Sequence, residues 1–438
     1  MKISKILAIV LVLAMLVGVC ASLAACNDKE EPIAALICLH GDNSSYDKNF
    51  IDAFKAACEA KGLTENQYTI VVDIPEEGND CYEKAAQFAD AGYKVVFADS
   101  FGHQANMIKA AKEFSNVQFC HATGTGASLS LDADAANDTP ANFHNAFASI
   151  YEGRYLAGVA AGLKLKEMYG DDITDAEATI GYVGAWPYAE VISGYTSFYL
   201  GVKSIVPNVT MKVKYTNSWY DEAGEKSAAE ALIAAGANLV SGHADSMGVP
   251  TACKEANVPN VFYNGVSTES TFVIASKINW QPYFEYMLDC VMNGKEIVKD
   301  YTGTLSTGSV QITALGQAAA AGTQAKLDEV KAKLISGELK VFDTANFTVR
   351  NAKAADTYNN ITMDAETGKL TAYNADIIDL GDYADRKKED MTVLQVISSS
   401  FFLQNACRND ILRVNKYAGF SADNARFFVS GQIKASSS

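Results

Sequence analysis

The sequence predicts an α/β protein built of two doubly wound parallel-sheet lobes, followed by a C-terminal extension. Three observations carry that expectation. Apolar runs of strand length alternate with longer runs of helical periodicity, the pattern that lays helices over both faces of a parallel sheet. The alternation occurs twice, in the same order and at similar spacing. A chain of 438 residues also exceeds what one hydrophobic core holds, whereas two lobes of ordinary size accommodate it.

The N-terminus comes first. Lys2 and Lys5 precede an almost unbroken apolar stretch over residues 6–19, and Leu23-Ala24-Ala25-Cys26 sets small side chains before a cysteine. A positive start, an apolar centre and small residues ahead of the cut are the parts of an export signal. The Cys26 thiol is the atom that would carry a lipid; Cys20 is a poorer candidate because Val19 precedes it. Residues 1–25 are therefore expected to be a lipoprotein signal peptide and residues 26–32 a polar tether, leaving the protein lipid-anchored on the outer face of the cell membrane. An uncleaved membrane helix is the competing reading, since residues 6–26 are just long enough to span a bilayer. The small residues in register with Cys26 argue against it. No later segment is apolar enough to span.

The first repeat opens with an apolar run at residues 33–39, a polar loop at 40–47 and a helical run at 50–59. Strand, helix, strand, helix and strand follow at 68–73, 82–91, 94–98, 104–113 and 117–121. The second repeat opens at 178–183, with a loop at 184–190 and a helix at 191–204. Its continuation runs through 210–215, 225–235, 238–241, 249–256 and 260–263. Gly92 and Gly236 stand just past the second helix of each repeat, where a left-handed cap is needed.

In wound sheets a ligand meets the loops beyond the carboxyl ends of the strands. Pairing two such lobes makes a cleft between those edges, which singles out loops at 40–46, 99–103, 121–126, 185–190, 217–221, 243–246 and 263–265. Tyr46, Phe101, Trp186, Tyr188, Trp219, Tyr220 and Tyr263 put rings there, while Asp42, Asp47, Asp99, Glu190, Asn217, His243, Asp245 and Asn264 add polar groups. Aromatic faces stack on planar bases for about 1–3 kcal/mol each. Carboxylates accept paired hydroxyls, and an Asn amide matches a donor–acceptor edge. The mixture suits a nucleoside better than a lipid or a metal. For any one ring, ordinary packing under a loop is the competing explanation.

Charge and cysteines narrow the field. The formal charge is −16, and the leader takes two lysines with it, so the exported part is more acidic still. Such a surface repels phosphate polymers and excludes nucleic acid as a partner. Nine cysteines include no CxxC pair. Cys38 and Cys120 fall in strand-like runs and Cys58, Cys253 and Cys290 in helix-like ones, so they read as buried small hydrophobes rather than a disulfide framework. Signatures of enzymes are missing: no HExxH, GxSxG, Walker loop or strand-linked GxGxxG occurs. The histidines, at 40, 103, 121, 144 and 243, lack helical ligand spacing. No catalytic residue, metal or cofactor is expected.

The loops and flanking segments resemble a known family. Phe97-Ala98-Asp99-Ser100-Phe101-Gly102, Val117-Gln118-Phe119-Cys120-His121-Ala122-Thr123-Gly124 and Tyr155-Leu156-Ala157-Gly158-Val159-Ala160-Ala161-Gly162 are similar to the basic membrane protein (BMP) family of ABC-transporter substrate-binding lipoproteins. Ile180-Gly181-Tyr182-Val183-Gly184-Ala185 and Asn217-Ser218-Trp219-Tyr220-Asp221 extend the likeness. His243-Ala244-Asp245-Ser246 and Asn279-Trp280-Gln281-Pro282-Tyr283 resemble its purine- and nucleoside-binding branch, and the resemblance covers roughly residues 33–345.

The resemblance implies a periplasmic-binding-protein fold of type I, with crossovers near residues 145, 268 and 310. Lobe 1 would then take 33–145 and 270–308, lobe 2 would take 146–269 and 309–349, and residues 350–438 would form the extension. It further implies a small-molecule ligand, a purine nucleoside or related purine, delivered to a permease and ATPase. Tyr46 and Phe101 would stack on the base, Glu190 and Asp245 would bond base or ribose, and Trp280 would close the pocket. Two departures leave a sugar or polyol open as the solute: Ser44 and Asp47 stand where this branch commonly has Trp and His, and Asn264-Gly265-Val266-Ser267 lacks an acid often found there. A sensing role toward a membrane partner uses the same lobe closure. In the extension, residues 362–370 read as a hairpin turning at Thr367-Gly368-Lys369, and 382–390 as a charged loop.

Overall fold

The computed structural model describes residues 30–124, 126–127, 139–186 and 189–342, together with strands at 349–351, 359–363 and 370–372. The leader, Cys26, Pro187, Tyr188, the 382–390 loop and most of the extension lie outside the described residues.

Two six-stranded sheets form the lobes. The first contains β1 (Ala34–Ile37), β2 (Tyr68–Val71), β3 (Val95–Ala98), β4 (Gln118–Ala122), β5 (Phe143–Ala148) and β11 (Asp300–Gly303), in the order β11-β5-β4-β3-β1-β2, all parallel. The second contains β6 (Thr179–Gly184), β7 (Thr210–Tyr215), β8 (Val240–His243), β9 (Asn260–Tyr263), β10 (Phe272–Ile278) and β12 (Val310–Ile312). Its order is β12-β10-β9-β8-β6-β7, with only β12 antiparallel. Position by position the two orders correspond, as the repeat in the sequence predicts. In each sheet the order reverses beside the first strand, at β1/β3 and β6/β8. Such a switch point splays the outgoing loops to opposite faces and opens a crevice.

The crossovers need correction. β10 pairs with β9 in the second sheet, so residues 272–278 belong to lobe 2, and the chain returns to lobe 1 only after Ile278. β5 likewise stays in lobe 1 through Ala148. The physical reason is that each repeat carries a fifth parallel strand, β5 or β10. Both are buried almost throughout, and the four-strand pairing of the repeats passed over them.

Helices α1 (Ser45–Ala60) and α8 (Gln281–Met292) pack together against the first sheet; α2 (Asp80–Asp90) and α3 (Gln104–Glu113) cover its other face. The second sheet is covered by α4 (Ile150–Tyr169) and α5 (Ala189–Lys203) on one side and by α6 (Glu222–Ala234) and α7 (Gly248–Ala256) on the other; α9 (Thr323–Ser336) lies against α4. α1 begins earlier than its apolar periodicity indicates, because the Ser44 hydroxyl caps it by accepting the Asp47 N–H at 3.2 Å. That extra turn carries Tyr46 and Asp47. Gly92 and Gly236 adopt the left-handed conformation at φ 89° and 94°.

The α4–α5 contact depends on two glycines. A Cβ on Gly158 would lie 2.1 Å from the Phe198 carbonyl oxygen, and one on Gly201 would lie 2.2 Å from that of Tyr155. Both obstacles are backbone and cannot swing aside. Gly158→Ala and Gly201→Ala are each expected to cost about 1–3 kcal/mol through overpacking, measured by urea unfolding.

The six described cysteines are free and buried. Among the described residues no helix is long and apolar enough to cross a membrane. In the extension, β13 (Val349–Asn351), β14 (Asn359–Met363) and β15 (Leu370–Ala372) form an antiparallel sheet, with β14 and β15 flanking the expected turn.

Candidate functional site

The loops leaving both switch points enclose one cavity of about 380 Å³, part of it open to solvent. Leu39, Tyr46, Ser100, Phe101 and Thr123 line it from lobe 1; Glu190, Trp219, His243, Asp245 and Tyr263 line it from lobe 2. Seven of the expected residues, Tyr46, Phe101, Glu190, Trp219, His243, Asp245 and Tyr263, meet here.

On the lobe 1 wall, Tyr46 sits on the first turn of α1 with its ring 5.0 Å from Phe50. Its hydroxyl donates to the Asp99 carbonyl at 2.9 Å, and burial pushes the phenol pKa well up. Behind it lie Asp47 and Asp99, both fully buried. Asp47 Oδ1 accepts the His40 N–H at 2.8 Å and Asp99 Oδ1 the Leu39 N–H at 3.1 Å. The second oxygen of each is buried without a partner. Burial first, then the neighbouring Asp47 charge, holds the Asp99 carboxyl well above the usual carboxylate range. With Cys38 these two bring ligand atoms within 4.8 Å of one another and are the described residues that could hold a metal ion. A proton retained on Asp99 relieves the same charge.

The loops are pinned by neutral histidines. His121 Nε2 bonds the Ser100 carbonyl at 2.7 Å and His103 Nε2 that of Ile74 at 2.9 Å. Burial lowers both pKa values, that of His121 to about 3. The two rings therefore serve the backbone.

On the lobe 2 wall, Glu190 Oε1 accepts from Tyr263 Oη at 3.1 Å and faces His243 Nε2 at 3.3 Å. Glu190 stands at the start of α5, where the helix dipole favours an anion. Asp245 is buried, and among the described residues no protein donor bonds its carboxyl oxygens. Burial raises its pKa well above the ordinary value, with the charges of Asp47, Glu225, Glu190 and Glu76 adding to the effect. Direct contacts join the lobes beside the cavity. The Ser45 N–H and Oγ donate to the Asp245 carbonyl at 3.1 and 3.2 Å, Asn49 Nδ2 donates to Asn264 Oδ1 at 3.2 Å, and the His40 and Tyr220 rings lie 5.5 Å apart.

Other expected residues lie off the cavity lining, Asp42, Asn217 and Tyr220 among them. Trp280 is a correction: it is 2% exposed and stacks on Phe50 at 4.3 Å inside the lobe 1 core, because α1 and α8 bury it between them. Asn264 turns away in the left-handed conformation, φ 56°, and its side chain serves Asn49 and the Ile278 N–H. Asp47 and Asp99 form a layer behind Tyr46, and Trp186 is half-buried and not among the lining residues. Leu39, Ser100 and Thr123 join the wall. Arg154 escaped the sequence reading entirely; its only signal was a charge amid the apolar run of α4.

Comparison with known proteins agrees with this architecture. A purine-binding protein of Brucella abortus (strain 2308) is 29% identical over 288 residues, covering 64% of this chain and 75% of that protein. A putative ABC transporter glucose-binding protein of Haloferax volcanii is 27% identical over 298 residues, covering 67% and 70%. A solved ABC transporter solute-binding protein from Conexibacter woesei superposes with a TM-score of 0.55 at 22% identity, over 70% of this chain and 98% of that one, and shows the shared fold. The family model of the PnrA-like ABC transporter substrate-binding proteins matches residues 15–345. The chain therefore belongs to this Bmp family, whose members are not enzymes but extracytoplasmic receptors that deliver small molecules to a membrane permease and its ATPase.

Proposed function

We propose that the protein captures a purine nucleoside or related purine between its lobes for an ABC importer, and that a lipid on Cys26 tethers it to the membrane. The observation that carries the ligand class is the make-up of the cavity. Tyr46 and Phe101 from one lobe and Trp219 and Tyr263 from the other supply ring faces, while Glu190 and Asp245 supply acceptors. Neither Lys nor Arg is among the lining residues. A solute that is flat, neutral or cationic, and rich in N–H and O–H donors matches such a wall; a phosphorylated nucleotide does not. The purine-binding relative adds support.

A sugar or polyol is the second reading, favoured by the same carboxylates flanked by rings and by the name of the haloarchaeal relative. A thermal-shift screen across nucleosides, bases, sugars and amino acids separates them. A ligand at a hundredfold its Kd stabilises by about 2.7 kcal/mol. Purine nucleosides are expected to give the largest shift, with Phe101→Ala and Tyr46→Ala each weakening binding by about 1–3 kcal/mol. A response to sugars alone would overturn the purine reading. Recovery of the nucleoside intact after incubation is the expected mark of a receptor, and turnover would contradict it. For the anchor, mass spectrometry of the N-terminal peptide should find Cys26 acylated, and Cys26→Ser should release the protein from membranes.

A further inference from the structure

We infer that Arg154, absent from the cavity lining, positions the Glu190 carboxylate through Tyr182 and His243; the inference rests on Glu190 being a ligand acceptor. Arg154 is fully buried in α4 beneath the carboxyl ends of the second sheet. One arm of its guanidinium, Nη2, donates to the Gly242 carbonyl at 2.9 Å and to Tyr182 Oη. The other, Nη1, reaches the Phe262 carbonyl at 3.4 Å and Ser276 Oγ at 3.3 Å. Arg154 therefore ties together the ends of β8 and β9 and the middle of β10.

The direction of the hydrogen bonds follows from donor chemistry. A guanidinium has donors only, so Tyr182 Oη accepts from Arg154 and has one proton to give. Its neighbour is His243 Nδ1, 3.0 Å away, and giving the proton there leaves Nε2 to donate toward the acceptor that faces it. The imidazole proton accordingly sits on Nε2, the nitrogen that faces Glu190 Oε1 at 3.3 Å. Burial lowers the pKa of His243, in keeping with a neutral ring. Gly194 makes room: a Cβ there would stand 2.6 Å from Nδ1. With Tyr263 Oη on the same oxygen, Oε1 is committed to protein donors, and Oε2 is left as the acceptor offered to a solute. Arg154 thus fixes which oxygen of Glu190 recognises donors on the ligand.

The test uses the full-length protein and Tyr182→Phe, which removes one hydroxyl and keeps the ring. Nitrogen-15 NMR of labelled histidine should show His243 protonated on Nε2 in the parent and a tautomer mixture in Tyr182→Phe. Guanosine and adenosine affinities should fall about tenfold in that variant, roughly the loss of one hydrogen bond to a charged group. The ratio of variant to parent affinity should change between pH 5.5 and 8. Arg154→Lys should restore part of what Arg154→Met loses; should Arg154→Met not fold, Tyr182→Phe alone decides. An unchanged tautomer with parental binding across that pH range would overturn the inference. If the parent binds neither nucleoside yet its tautomer responds as described, the positioning role stands and the purine reading falls.

Discussion

Replacing Trp280 by alanine is expected to remove about 3–5 kcal/mol of folding stability, the usual cost of deleting a buried indole, and to do so equally with and without solute. The indole lies stacked on Phe50 at 4.3 Å and against Phe97 at 6.3 Å. Phe284 packs on Phe50, Phe54 and Phe97 in turn. α1 and α8 are thus joined to β3 through rings, and the space vacated by Trp280 cannot collapse without moving a helix. Because α1 carries Tyr46, poorer ordering of that wall would follow, yet only as a consequence of the lost core. Urea unfolding measured with and without bound solute checks this. Near-parental stability combined with a large drop in affinity would instead return Trp280 to the role of a pocket lid.

Asp245→Asn is expected to act in opposite directions on stability and binding. In the empty protein Asp245 is buried among carboxylates and its pKa is raised well above the ordinary value. The folded state therefore keeps a proton that the unfolded chain releases at the ordinary carboxyl pKa of about 4. Stability from this group is fully present below that value and declines as pH rises toward the folded pKa. Asp99 shifts the same way, as do Glu152 and Glu225, each pushed up to about 7 by burial. The empty protein should thus lose stability from about pH 4 to pH 7. The Asn variant should be the more stable protein at pH 7.5, with a flatter profile. Its affinity for a nucleoside should fall by about 2–3 kcal/mol, roughly 30- to 150-fold, as a charged acceptor is replaced by an amide. A variant that is less stable at pH 7.5 and binds undiminished would place Asp245 outside the site.

Much of the architecture was legible because its signals are periodic. Alternating apolar and helical runs, repeated once, led to the paired sheets and to the loops that surround the cavity. Strand tips had to converge wherever the order reversed, so Tyr46, Phe101, Glu190, Trp219, His243 and Asp245 could be named without coordinates. What escaped depends on three-dimensional partners. β10 opens with an apolar run, Phe272 to Ala275, and such a run does not reveal which of two sheets will accept it. Trp280 and Asn264 occupy loop-like positions in sequence, yet one is drawn into a ring cluster and the other into a left-handed turn. Arg154 lies within a helix, and its bonds reach Tyr182, Gly242, Phe262 and Ser276, from 28 to 122 residues away; no local spacing encodes that.

The bonds from Ser45 to the Asp245 backbone and from Asn49 to Asn264 involve no solute atom. Shutting is therefore partly self-financed, and some unloaded molecules will visit the shut form unaided. Such visitors subtract from the fraction able to admit cargo, which weakens the apparent affinity by the same proportion. They would also present to a transporter the outer contour of a filled receptor. Whatever distinguishes full from empty must then arise inside the chamber, through the rings and acids that only a guest can bridge.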